Sequence, residues 1–210
     1  MLSKKVRFKN NGNEFSDWKI KTLGDIGETF NGLTGKNKED FGTGKLYIQY
    51  KQIFDSPNIQ IQNCALVDVS KEENQNKVKY GDIFFTISSE TPNEIGMASV
   101  LLDKVDEMYL NSFCFGYRPL SFDILNPLFA SYLFRSSVFR TQIMKLAQGS
   151  TRYNMSKTEL LKLRISLPCL QEQIIISECL SSIYGKTHTE KSLLNKYQQQ
   201  KQYLLQFLFI

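Results

Sequence analysis

Gly149, Ser150, Thr151 and Arg152 put backbone N–H groups, two hydroxyls and a guanidinium into one tight space. Donors of that kind suit a phosphate, which they would position without reading any base. Tyr153 and Asn154 follow directly and could stack on a base or reach its edge. If the preceding helix ends near Gln148, its negative C-terminal end points at this turn, and Arg152 is needed to restore attraction for an anion. The same residues also read as an ordinary helix stop, and the sequence leaves both readings open. Further polar stretches carry similar chemistry. Lys36, Asn37, Lys38 and Lys45 supply charge, and Gln49, Tyr50, Lys51 and Gln52 supply amide and aromatic groups able to address groove edges. Ser88, Ser89, Thr91 and Asn93 form another candidate loop, in which Glu90 could accept from an amino group or simply be solvated.

Covalent chemistry finds little support. His188 is the only histidine and falls in the tail, so Ser-His-Asp or Cys-His catalysis is expected to be absent. Phe41-Gly42-Thr43-Gly44 imitates the glycine turn of a cofactor-binding methyltransferase. Such a turn follows a buried strand, whereas this one follows Lys36-Asn37-Lys38-Glu39-Asp40 and reads as a flexible loop. No Asn-Pro-Pro-aromatic motif and no spaced Asp and Glu-x-Lys group suggests methyl transfer or a nuclease metal site. A standalone enzyme is therefore disfavoured. Cys64, Cys114, Cys169 and Cys179 form no C-x-x-C pair and read as free thiols of a reducing cytosol. Net charge is +5, an excess mild enough that any basic surface must come from clustering. Met1 to Asn13 is polar and basic, and no apolar run reaches the ~18 residues a membrane span needs, so a cytoplasmic chain with no membrane partner is expected.

The elements that must position these groups change character along the chain. Trp18 marks the start of a body. Ile20 to Leu23 reads as a strand, Gly24 to Glu28 as a turn or short helix, and Asn31 to Lys45 as an exposed loop. Short strands are expected at Tyr47 to Tyr50, Ala65 to Val69, Ile95 to Leu102 and Phe113 to Tyr117. Ile83-Phe84-Phe85-Thr86-Ile87, launched by Gly81-Asp82, is a near-continuous apolar run that suits a buried strand, with Ser88 to Glu94 a polar loop behind it. Asn126-Pro127 is a good N-cap and first-turn pair, Ser137 can cap a second helix that stops at Gly149, and Ser156 to Glu159 matches a capping box. Leu163, Ile165 and Leu167 alternate with polar residues in a half-buried strand ended by Pro168.

Beyond Gln171 the pattern becomes a heptad. Ile176, Leu180, Ile183, Thr187, Glu190, Leu194, Tyr197, Lys201, Leu204 and Leu208 step by alternating four and three, with Thr187, Glu190 and Lys201 as polar interruptions. As one helix this tail would span about 57 Å. A lone helix of that length leaves its seam in water, so a partner helix is expected. The alternative is a tail folded back on its own body, which offers no face so long.

Several segments in this order resemble the specificity subunit of type I restriction-modification systems. They are Trp18 to Ile26, Gly81-Asp82-Ile83-Phe84-Phe85-Thr86, Ile95-Gly96-Met97-Ala98, Asn111-Ser112-Phe113, Gln148-Gly149-Ser150-Thr151, and Leu167-Pro168-Cys169-Leu170-Gln171-Glu172-Gln173-Ile174. Two departures stand out. The family usually continues its central strand into Ser-x-Arg-Gly-Ser, where this chain has Ile87-Ser88-Ser89-Glu90-Thr91 and no arginine. Cys169 replaces a proline of the family's hinge.

The resemblance implies a mixed α/β (α+β) fold, with a strand-rich target recognition domain over residues 1–168 and a long coiled-coil helix over 169–210. It implies a non-catalytic chain that binds double-stranded DNA at a bipartite site and associates with a modification subunit and a restriction subunit. S-adenosylmethionine, ATP and magnesium would then sit on those partners. Full-length members carry two recognition domains and two helices, so one of each here implies a homodimer, or pairing with a second half, through Ile176, Leu180, Ile183, Leu194, Tyr197, Leu204 and Leu208. Base reading would fall to the polar loops named above, and two-fold symmetry in the protein would appear as a palindrome in the target. A coiled-coil adaptor that grips protein instead of DNA is the competing reading.

Overall fold

The computed structural model describes residues 7–10, 12–149 and 152–208. A small hairpin of β1 (Lys9–Asn10) and β2 (Asn13–Glu14) precedes Trp18, and β3 (Lys19–Thr22) opens the body. Thr22 starts α1 (Leu23–Ile26) with a reciprocal cap: its Oγ1 accepts from Asp25 N, and the Asp25 carboxylate accepts from Thr22 N. The chain continues through β4 (Gly27–Asn31), β5 (Phe41–Ile48), α2 (Tyr50–Asp55), β6 (Ala65–Val67), β7 (Ile83–Thr86), β8 (Ser88–Ser89), β9 (Ala98–Val100), β10 (Met108–Leu110) and β11 (Cys114–Pro119). Helices α3 (Pro127–Leu133) and α4 (Ser137–Met144) come next, followed by β12 (Tyr153–Asn154), α5 (Lys157–Lys162), β13 (Arg164–Leu167) and α6 (Leu170–Leu208).

The centre is an antiparallel sheet in the order β4-β11-β7-β9. Strand β7 is buried throughout because both of its faces are covered. Alternation sends Ile83 and Phe85 into one core with Phe115, Tyr117, the helix residues Phe129 and Phe139, and Phe134 at the end of α3. It sends Phe84 into a second core with Ile48, Ile53, Leu110 and Cys114. A second sheet, β10-β5-β6, flanks that second core, with β5 parallel to β10 and antiparallel to β6.

Several expectations change. Asn31 to Lys45 is not one exposed loop, since β4 ends at Asn31 and β5 begins at Phe41. Gly42 and Gly44 sit at φ +109° and +98°, conformations that favour glycine, and they absorb a bulge that lets Phe41 and Lys45 both face Val67. The strand expected at Tyr47 to Tyr50 holds only as far as Ile48, where β5 stops, and Tyr50 instead begins α2. Helix α4 is capped by Ser136, whose Oγ accepts from Phe139 N, and ends at Met144 rather than near Gln148. The N–H groups of Lys145, Leu146 and Ala147, just past its end, bond three residues back and tighten the chain before Gly149. Helix α5 starts after Ser156 as expected, but no capping box forms there, because Glu159 takes Lys162 Nζ at 2.7 Å instead. Asn126-Pro127 does open α3, with Asn126 Oδ1 accepting from Phe129 N.

Helix α6 runs 39 residues, about 58 Å. Its first turns are part of the body. Glu172, 0% exposed, accepts from Arg7 Nε and Nη2 at 3.2 and 3.0 Å and from Trp18 Nε1 at 3.0 Å. Gln173 Oε1 accepts from Asn126 N, and its Nε2 donates to Ile124 and Pro168 carbonyls. Ile176, 1% exposed, lies in the main core, with Leu180 packed against it. These two expected seam residues are therefore spent on anchoring, since they face α3 and the core. The free apolar stripe starts at Ile183 and includes Leu194, Tyr197, Leu204 and Leu208, all exposed. Strand β13 pairs with β3, so the two ends of the body meet at the root of this helix. Among the described residues, no helix is long and apolar enough to cross a membrane.

Candidate nucleic-acid interface

At one end of the central sheet an open cleft of about 380 Å³ is lined by Tyr50, Phe54, Ser88, Ser89, Glu90, Glu94, Phe113 and Arg152. Residues far apart in sequence converge because short ladders pin the segments that carry them. Ser88 and Ser89 pair with Asn154 and Tyr153 through β8 and β12. Gln148 and Asn154 exchange both backbone hydrogen bonds, closing the turn that presents Arg152. Gly149 sits at φ +127°, and a Cβ there would lie 2.2 Å from the Arg152 carbonyl, so the turn requires glycine. Tyr50 Oη donates to the Ser88 carbonyl at 2.7 Å, and burial pushes its phenol above the ordinary range. Phe54 stacks against it at 6.5 Å.

Two arginines outside the cleft hold its rims. Arg135 donates through Nε to Ala98 O at 2.6 Å, and through Nη2 to the carbonyls of Ile53, Phe54 and Ser56 at 2.7–2.8 Å. Those last three lie at the C-terminal end of α2, where orphan carbonyls attract a cation. Burial lowers the Arg135 pKa to about 10, which still leaves it charged at neutral pH. Arg140 donates to Gly96 O at 2.7 Å and Asn93 O at 2.8 Å, fixing the segment that carries Glu90 and Glu94. No sequence pattern announces either role, because each depends on carbonyls more than 35 residues away.

The structure sorts the expected recognition residues. Tyr50, Ser88, Ser89 and Arg152 come together in the cleft, with Tyr153 and Asn154 in the adjoining ladder. Ser88 and Ser89 are buried rather than loop-exposed, and Ser89 Oγ is committed to Glu94 Oε2 and Thr91 N. Thr91 and Asn93 are exposed beside it. The lysines do not gather there. Lys36 Nζ is paired with Glu73 at 2.6 Å, and Lys45 and Lys77 share Glu107 at 2.7 and 2.8 Å. These contacts hold both carboxyls down at about 2. Lys38 lies in a 3-10 turn outside the cleft lining, and Gln49 and Lys51 are exposed at the start of α2, also outside it. Gln52 braces the following segment through Cys64 Sγ and Gln60 N. Ser150 and Thr151 lie outside the described residues. Phe54, Glu94 and Phe113 belong to the cleft without having been expected there.

The cleft offers two carboxylates that can accept from base amino groups, one guanidinium suited to phosphate or guanine, and aromatic walls. The family model for the type I restriction modification DNA specificity domain matches residues 15–199. The chain belongs to that family. It is 25% identical over 197 residues to the StySPI type I restriction enzyme specificity subunit of Salmonella potsdam, covering 90% of this chain and 41% of that one. It is 31% identical over 191 residues to a putative type I restriction enzyme MjaX specificity subunit of Methanocaldococcus jannaschii, covering 86% and 43%. Among solved structures, the S subunit from M. genitalium aligns with a TM-score of 0.61 at 19% identity, covering 98% of this chain and 48% of that chain. The HsdS subunit from Thermoanaerobacter tengcongensis aligns with a TM-score of 0.56 at 16% identity, covering 89% and 42%. The chain thus spans less than half the length of these relatives.

Within this specificity domain, the segments that carry the resemblance are largely scaffold. Buried Asp82 accepts from Arg118 Nε and Nη2 at 2.8 and 2.7 Å and from Lys79 N at 2.7 Å. Thr86 Oγ1 accepts from Met97 N at 3.0 Å, tying the central strand to the segment after the cleft. Glu172 and Gln173 anchor the rod, as described above.

Proposed function

We propose that this chain is a sequence-reading module of a type I restriction-modification complex, binding double-stranded DNA through the cleft and holding a fixed spacing through α6. The observation that carries this reading is the convergence of Tyr50, Glu90, Glu94 and Arg152 in one open cleft on a chain of the specificity-domain family. The module recognises and does not catalyse. A modification subunit would bring S-adenosylmethionine, a restriction subunit ATP and magnesium, and the assembly would work in the cytoplasm. The free stripe of Ile183, Leu194, Tyr197, Leu204 and Leu208 supports pairing of α6 with the helix of a second copy or of a second half. Each body would then read one half of a split site.

Selection from a randomised duplex pool with the full chain tests this. A split consensus is expected, with affinity falling steeply as salt rises. Failure to enrich any sequence, or binding indifferent to salt, would overturn the reading in favour of a protein-gripping adaptor.

A further inference from the structure

We propose that Phe113 is an apolar wedge that enters duplex DNA at one base step of the site read by the cleft, an inference that rests on the DNA reading above. Phe113 is 61% exposed on the cleft rim. Its backbone is nonetheless fixed on both sides. The Phe113 N–H donates to Asn111 Oδ1 at 2.8 Å, and its carbonyl accepts from Ile87 N at 3.1 Å. The next residue, Cys114, donates to the Asn111 carbonyl at 3.1 Å and sinks its own side chain into the second core. The ring therefore stands on a short, stiff turn between buried strands β10 and β11.

Other exposed aromatics of the body find partners. Phe122 meets Tyr80 edge-on at 5.5 Å, and Phe41 meets Tyr47 at 5.2 Å. Among the described residues no ring contact involves Phe113, although the Tyr50–Phe54 stack lines the same cleft. A pinned, exposed apolar ring beside groups suited to phosphates and base edges is placed to reach the base stack when they engage. Apolar side chains inserted between base steps unstack and kink the duplex, and the bent duplex then contacts more protein surface.

The test uses the full chain and the duplex it selects from a randomised pool, with 2-aminopurine scanned through successive positions. The wild-type protein is expected to raise fluorescence at one step and leave the others unchanged. Phe113→Ala is expected to abolish that rise and bind roughly tenfold more weakly. Phe113→Leu, which keeps an apolar wedge, should retain most of both signals. The proposal is overturned if Phe113→Ala matches the wild type in both measurements. It is equally overturned if no position brightens with the wild type, which would make the ring a contact for protein rather than for bases. A pool that yields no enriched sequence overturns the DNA reading itself and the wedge with it, whereas an enriched site indifferent to Phe113 removes the wedge alone.

Discussion

Among the described residues Arg152 is the one cation lining the cleft, and it shares that lining with Glu90 and Glu94 rather than with further positive charge. The two signs have separable consequences. Arg152→Ala should weaken binding to all sequences about equally and reduce the salt slope by about one, as loss of a phosphate contact does. Glu90→Gln should instead alter which base is preferred at one position, visible as a changed consensus in the same selection. The paired carboxylates outside the cleft predict a pH dependence. Glu73 and Glu107 titrate near 2 in the folded chain, below the ordinary carboxylate range. Their contribution is therefore complete above about pH 4.5 and is lost as pH falls toward 2. Acid unfolding followed by circular dichroism should show this, and Glu107→Gln should flatten that limb.

At the scale of elements, α2 shows where sequence reading succeeds and where it stops. The helix start at Asn126-Pro127, the buried run at Ile83 to Thr86 and the long terminal helix were legible, because caps, alternation and heptads are local signals. Helix α2 was not, since six residues are too few for a helical period and its end is held by Arg135 from far along the chain. Strand β10 was missed for a similar reason: its three residues pair in parallel with β5, a partner more than 50 positions earlier. The cleft inherited the same limit. Its loops were legible as polar segments, but Phe113, Phe54 and the burial of Ser88 and Ser89 depend on tertiary contacts. Arg135→Met should leave several carbonyls unsatisfied and destabilise the body by about 3 kcal/mol in urea melts. Arg140→Ala should cost less stability while speeding amide exchange between Thr91 and Met97.

For the whole molecule, the polar interruptions of the rod carry information about pairing. In an antiparallel two-fold pair centred between Leu194 and Tyr197, those two residues meet. Ile183 then meets Leu208, Thr187 meets Leu204, and Glu190 meets Lys201 on both sides of the axis. A parallel, in-register pair would set Glu190 against Glu190 and Lys201 against Lys201. Charge reversal separates the arrangements. With antiparallel pairing, Glu190→Lys should weaken self-association in sedimentation equilibrium, and adding Lys201→Glu should restore it. With parallel pairing, the single change should have little effect.

The ladder between β3 and β13 has a further consequence. Because the chain arrives and leaves side by side beneath the rod, everything between Thr22 and Arg164 hangs from that junction as a closed loop. A foreign body grafted between those two strands would keep the same handle, provided it offers partners for Gln173 and a helix face like that of α3, since the partners of Glu172, Arg7 and Trp18, precede the graft. Exchange of reading heads would then leave the spacing untouched, so new specificities could arise by recombination at two adjacent seams rather than by slow remodelling of one surface.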